Sequence, residues 1–205
     1  QCRQMFKLQL PVLGDEVRGV HIGSFSLVVQ PIADTLLALV RRESGKRLIS
    51  LDPNVRLNPQ PNIELWRERV AELVKHADLI KVSDEDLHLL YPGQTPESVL
   101  QGWLQHRCQL VFLTRGGDGA TVFSRQHGSW SAPAVKVVMA DTVGAGDTFQ
   151  AALIAWLTEH QLDSVEGLQQ LSREQITGML TFAIQAAALT CSKTGPDLPY
   201  RHQLD

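Results

Sequence analysis

Disulfide chemistry, zinc-ribbon spacing and membrane spans are all missing from this sequence. Cysteine occurs only three times in 205 residues, at Cys2, Cys108 and Cys191, an odd number without a Cys-x-x-Cys pair. A disulfide frame and a structural zinc site are therefore excluded, and a reducing cytoplasm is the expected setting. No apolar run approaches the ~20 residues that a helix needs to cross a bilayer, and no signal-peptide pattern is present. Charge of one sign is scarce too: 19 basic residues stand against 22 acidic ones, for a net charge of -3. With those charges interspersed, neither a nucleic-acid footprint nor a basic membrane-binding helix is expected. What is there, 43% hydrophobic residues, is enough for a buried core. Small-molecule chemistry is the remaining expectation.

Apolar runs rich in β-branched residues alternate with segments of helical period. Strands are predicted at Gly19–Ile22, Arg47–Leu51, Asp78–Val82 and Leu110–Thr114, and helices at Ala33–Arg42, Ile63–Lys75, Asp84–Leu90 and Glu97–His106. That order specifies βαβ units and a parallel sheet buried on both faces. The texture changes at Gly116-Gly117-Asp118-Gly119, flanked by Val111-Phe112-Leu113 and Ala120-Thr121-Val122-Phe123, which predicts a hairpin and an antiparallel edge. Long helices are predicted at Thr148–His160 and Arg173–Cys191, joined by a polar connection over Gln161–Ser172. The segment up to Arg18 is expected to be peripheral and residues 19–205 one domain. Gln1 is not an initiator methionine, which leaves open that the sequence starts inside a longer chain.

The chemistry concentrates in Asp141-Thr142-Val143-Gly144-Ala145-Gly146-Asp147-Thr148-Phe149. Gly144, Ala145 and Gly146 carry almost no side-chain bulk, and the helix that follows offers N–H groups without internal partners, so an anion can approach the backbone. Asp147 falls in the first helical turn, where the helix dipole favours a carboxylate. Simple phosphate storage would set two negative groups against each other. The arrangement makes sense if Asp147 takes a proton from an attacking hydroxyl while the N–H groups stabilise the phosphoryl in transfer. The plainer alternative is an ordinary helix start with a stabilising first-turn acid. A Walker A loop is excluded because no lysine follows the glycines, and a dinucleotide fingerprint because Phe149 stands where a third glycine is needed. Gly23-Ser24-Phe25-Ser26 lacks the second glycine of a nucleophile elbow, and the histidines have no metal-ligand spacing.

The 141–149 run resembles the D-T-x-[GA]-A-G-D-x-F signature of the ribokinase-like (PfkB) carbohydrate kinases. Three further segments agree with that family in order and spacing: Asp52-Pro53-Asn54-Val55-Arg56, Lys81-Val82-Ser83-Asp84-Glu85-Asp86 and Thr114-Arg115-Gly116-Gly117-Asp118-Gly119. The resemblance covers roughly residues 19 to 200. It implies a three-layer α/β/α fold with a mainly parallel sheet and an antiparallel edge. It also implies ATP-dependent phosphorylation of a sugar hydroxyl, with Asp147 as the base and Gly144, Ala145 and Gly146 as the anion hole.

Other roles carry over by position. Thr114, Gly116 and Gly119 match a T-x-G-x-x-G loop that lines the nucleotide. Ser83 and Asp86 fall on an N-x-x-E motif tied to the Mg2+ nucleotide, although both residues differ from the motif and Ser83 could equally be a helix cap. Asn54 and Arg56 resemble a D-P-N-x-R loop of fructokinases and ketodeoxygluconate kinases, reaching phosphate or substrate. Phe182 to Leu189 is similar to the small-residue helix beside the adenine, with Ile184 giving that contact an apolar character. Asp141, Val143, Thr190, Lys193 and Gly195 correspond to a loop pair that wraps a monovalent cation such as K+. The resemblance points most to a fructokinase, next to a ketodeoxygluconate kinase and less to a ribokinase. From another class, a non-catalytic nucleotide-binding module stays open. Relatives run to about 300 residues, and their first strand, sugar loop and β lid are not found here; Gln4–Leu13 would be a remnant of the lid region, through which relatives often form homodimers.

Overall fold

Residues 10–195 and 197–204 are described by the structure, a computed structural model. Most of the Gln4–Leu13 stretch, Cys2 and Pro196 lie outside the described residues. Six strands, β1 (Gly19–Gly23), β2 (Leu48–Asp52), β3 (Leu79–Ser83), β4 (Leu110–Thr114), β5 (Ala120–Ser124) and β6 (Gly128–Ala132), lie in one sheet in chain order. β1 to β4 are parallel, and β5 and β6 turn back antiparallel. Helices α1 (Ile32–Glu43), α2 (Ile63–Val74), α3 (Asp84–Leu90) and α4 (Pro96–Leu104) make the crossovers between the parallel strands. After β6 come α5 (Ala145–Glu159), α6 (Val165–Gln170) and α7 (Arg173–Cys191).

Strand alternation sorts the side chains into two cores. Ile49, Leu51, Ile80, Val82, Val111 and Leu113 join Trp66, Val70 and Leu100 on the face covered by the crossover helices. Leu48, Leu79, Leu110 and Phe112 join Phe149, Leu153, Met179 and Leu180 on the face covered by α5 and α7. Because both faces are buried, the strands read as continuous apolar runs rather than as alternating ones. Every crossover helix packs on the same face, as uniformly handed βαβ connections require. The three-layer α/β/α architecture with an antiparallel edge is the one expected from the sequence.

Two elements were not expected. β6 is the run Gly-Ser-Trp-Ser-Ala, whose strand character comes from five-residue pairing with β5 rather than from its own residues. α6 sits inside the supposedly plain 161–172 connection, where Ser164 caps it at the Gly167 N–H and Leu168 and Leu171 are buried. Six residues are too few to show a helical period. α5 also begins at Ala145, earlier than Thr148, because Gly144 turns the chain into the helix at φ 82, a left-handed angle that favours glycine.

α5 is anchored along its length. Phe149 meets Phe112 edge to face, Leu153 is fully buried, and the Thr148 hydroxyl bonds that of Thr190 on α7 at 2.9 Å. α7 starts from a reciprocal cap between Ser172 and Gln175. Among the described residues no helix is long and apolar enough to cross a membrane. Leu153→Ala removes packing that the sheet face cannot refill, so urea unfolding should report a loss of about 2–5 kcal/mol.

Candidate active site

The carboxyl ends of parallel strands are where α/β sheets present their loops to ligands. Here the four quoted segments fall on successive ends: β2 ends in Asp52, β3 in Ser83 and β4 in Thr114, while α5 lays its N-terminus across the row. A cavity of about 420 Å³ opens there, with His21, Ser24, Asp52, Asn54 and Asp147 on its polar side and Ile22, Ile32 and Leu36 on its apolar side. A second depression of about 460 Å³ between α4 and β5 holds Arg125, whose guanidinium caps the carbonyls of Leu104 and His106, and Ser124, but no acid or histidine to activate that hydroxyl. The chemistry belongs to the first.

On the α5 face the sheet becomes polar toward this end. Going up β2 the face carries Leu48, Ser50 and Asp52, and going up β3 it carries Leu79 and Lys81. The Lys81 ammonium donates to Asp52 Oδ2 at 3.0 Å, and each side chain is only 4% exposed. The same ammonium lies beneath the first turn of α5, since a Cβ placed on Gly146 would stand 2.9 Å from its Nζ. Gly146 is therefore small for a packing reason as well as for ligand access. A buried cation and the positive end of a helix both face one spot, which favours an anion there.

Asp52 is under strain from this burial. Its Oδ1 is enclosed without a partner. Loss of hydration pushes its pKa up to about 6, against the pull of Lys81, with the negative charges of Asp86 and Asp147 adding to the rise.

Asp147 is exposed at the cavity, in the first turn of α5, with Gly144, Ala145 and Gly146 partly exposed just before it. The acid of the signature thus reaches the cavity, and the three small residues before it form the start of α5. Asn54 joins them, held at φ 42, while Ser24 is held at φ 58 and its N–H donates to Pro53 O. Two non-glycine residues in the left-handed region at one cavity mark backbone strain there. Arg56 is exposed outside the cavity lining, its guanidinium donating to Val55 O.

Ser83 and Asp86 are put to structural use. The Ser83 hydroxyl accepts from Asp86 N–H at 3.0 Å and caps α3, and Asp86, buried, accepts the Val55 N–H at 2.9 Å and so holds the 54–56 loop. No group of three or more His, Cys, Asp or Glu that could hold a metal gathers among the described residues. Asp86 Oδ1 is taken by the Val55 N–H and Asp52 Oδ1 is enclosed, so a cation here would be held mainly through phosphate oxygens.

Thr114, Gly116 and Gly119 form the β4–β5 turn. Gly119, at φ 91, has no room for a side chain against the 132–134 backbone, whereas Gly116, at φ 49, faces open space. Ile184 is buried in the α7 core. At the far end of the signature, Asp141 accepts from Val143 N–H at 3.0 Å and Gly195 N–H at 3.1 Å, which holds its pKa below the usual carboxylate value. Those bonds join the 141–143 and 193–195 loops. Thr190 is buried against Thr148, and the Lys193 N–H donates to Thr190 O while its ammonium pairs with Asp197.

The polar side chains to which the motifs assigned no role include Lys81, His21, Ser50 and Gln150. A lysine inside Leu-Ile-Lys-Val-Ser and a histidine inside Gly-Val-His-Ile-Gly were the available signals, since an ionisable group in an apolar strand needs a partner.

Residues 14–203 match the family described as pfkB family carbohydrate kinase. The chain belongs to the pfkB family. It is 34% identical over 170 residues to a fructokinase of Rhizobium leguminosarum bv. trifolii, covering 80% of this chain and 52% of that protein. It is also 34% identical over 188 residues to fructokinase-2 of Solanum lycopersicum, covering 87% and 54%. Among solved structures it is similar to fructokinase from Vibrio cholerae O395 in its fructose, ADP and calcium ion bound form, with a TM-score of 0.79, 26% identity, and 95% of this chain and 61% of that one covered. This pfkB chain thus spans about half the length of the curated relatives it matches.

The pH dependence of the pfkB site follows from Asp52. Its folded pKa of about 6 exceeds the ordinary 3.8, so its contribution to stability is present below about pH 4 and is lost as the pH rises through about 6. Asp52→Asn cannot ionise and should lack that loss: denaturant melts from about pH 4 to 6.5 should move in its favour relative to the parent protein. An unchanged difference across this range would refute the buried-acid assignment.

Proposed function

We propose that this pfkB chain carries the nucleotide-binding and catalytic part of an ATP-dependent sugar kinase, acting on a primary hydroxyl and matched to D-fructose, which becomes fructose 6-phosphate. The observation that supports this is Asp147 on the cavity lining, directly after the Gly144–Gly146 helix start that lies above a buried ammonium. The choice of sugar rests on the fructokinase relatives and on the Asp52–Arg56 loop.

In the reaction, Asp147 accepts the proton of the sugar hydroxyl as its oxygen attacks the γ-phosphorus, and the bond to the ADP oxygen breaks. The N–H groups of the α5 start and the charge of Lys81 stabilise the negative charge that spreads over the transferred group. Mg2+ bound with ATP would neutralise phosphate charge, with Asp86 as the acid proposed to face it. Asn54 and Arg56 serve substrate or phosphate. Ser83 and Thr114 end their strands beside the nucleotide, Gly116 leaves room for it, and Ile184 backs the base. A double mutant of the Vibrio cholerae fructokinase has been seen with a potassium ion, and K+ is proposed here for the loop pair of Asp141, Val143, Thr190, Lys193 and Gly195.

The test is ADP formation by the intact protein with fructose, 2-keto-3-deoxygluconate and ribose. Fructose should give the highest kcat/KM; ATP binding without turnover on any sugar would leave a non-catalytic module. Asp147→Asn keeps the shape and removes the base, so kcat should fall by about 10²–10⁴-fold with ATP affinity nearly unchanged. Turnover at the parent rate would sink the assignment.

A further inference from the structure

His21 sits in the middle of β1, the edge strand, opposite Ser50 of β2 in the parallel register. Its Nδ1 is 3.1 Å from the Ser50 hydroxyl, and the same hydroxyl accepts from Gln150 Nε2 at 2.8 Å. Gln150 is one turn beyond Asp147 on α5, so three residues from three elements form one polar chain beneath the cavity. Ser50 and Gln150 are buried, and Gln150 Oε1 has no partner at all. An apolar trio would pack this interface without leaving a buried acceptor unpaired, so packing alone does not account for the chain.

Its geometry fixes the proton on the ring. With Gln150 donating to Ser50, the single hydroxyl hydrogen is left for His21 Nδ1, and a neutral imidazole then carries its proton on Nε2. The ring's edge is open along β1, but its inner side is set among protein atoms. That desolvation lowers its pKa from the ordinary value, with Lys81 acting in the same direction and Asp147 against it. The neutral form is the one that holds at neutral pH.

His21 and Asp147 line the same cavity. An N–H donor and a carboxylate acceptor on one cavity lining are the complement of a hydroxyl group: hydrogen to the acid, oxygen lone pair to the donor. We propose that His21 is a substrate-binding residue that donates from Nε2 to a hydroxyl oxygen of the acceptor sugar, held in that tautomer by Ser50 and Gln150. The role rests on the sugar-kinase function proposed above, and it gives β1 a part in choosing and orienting the acceptor.

Two amide substitutions separate binding from scaffolding. Asn places a polar atom near Nδ1 and none at Nε2, and Gln does the reverse. With saturating ATP and the intact protein, His21→Asn and His21→Ala should each raise the sugar KM by about 3- to 10-fold, the loss of one neutral hydrogen bond. His21→Gln should recover most of that loss, with the KM for ATP unchanged in all three and the melting temperature of His21→Asn close to the parent's. A normal sugar KM in His21→Asn, or rescue by Asn and not by Gln, overturns the assignment and leaves a structural tether. Absence of parent turnover on every sugar removes the sugar-kinase function itself, a different outcome from parent turnover with an indifferent His21.

Discussion

A lysine and an aspartate, both almost closed off from water, meet beneath the first turn of α5. Removing two such charges from water is costly unless each is paired, so Lys81 and Asp52 constrain everything around them. β2 and β3 must keep their register to bring the two side chains together. The α5 start is small above them, because a Cβ on Gly146 would stand 2.9 Å from the Lys81 ammonium and push it from its place beside Asp52. The result is a positive spot at the end of the sheet that needs no exposed cation.

The rest of the site is layered on that pair. Asp86 fixes the loop after β2 through Val55, Ser83 fixes α3 and so Asp86, and Asp141 ties the start of the signature to the loop after α7. These acids and hydroxyls face backbone N–H groups, and in doing so they set the positions of Asn54, Asp147 and the glycines. A carboxylate at the cavity can serve proton transfer only if its neighbours hold still, and here the neighbours are held by hydrogen bonds rather than by bulk.

Much of this was legible in the chain. The βαβ order, the hairpin at 116–119 and the two long helices follow from apolar runs and helical period, and the signature at 141–149 pointed to a helix start with an acid. Less legible were β6 and α6, the first because its strand character comes from its partner β5, the second because one turn and a half shows no period. Asp86 was assigned to a metal through its motif, and in the structure one of its carboxylate oxygens accepts from the Val55 N–H, a contact the motif does not announce. The motif fixes where an acid stands but not which atom it faces.

Local spacing determined the elements, the βαβ order and the stretch where phosphate chemistry belongs, because hydrophobic period and glycine placement act within a few residues. Only the tertiary structure decided that Lys81 answers Asp52 across 29 positions, and that Gln150 reaches Ser50 across 100. Such pairs are made by strand register and by the face on which a helix is laid, and neither is written in the spacing of the residues themselves. His21 shows the difference most plainly. In the chain it is a lone histidine in an apolar strand; in the fold it shares a cavity with the acid of the signature.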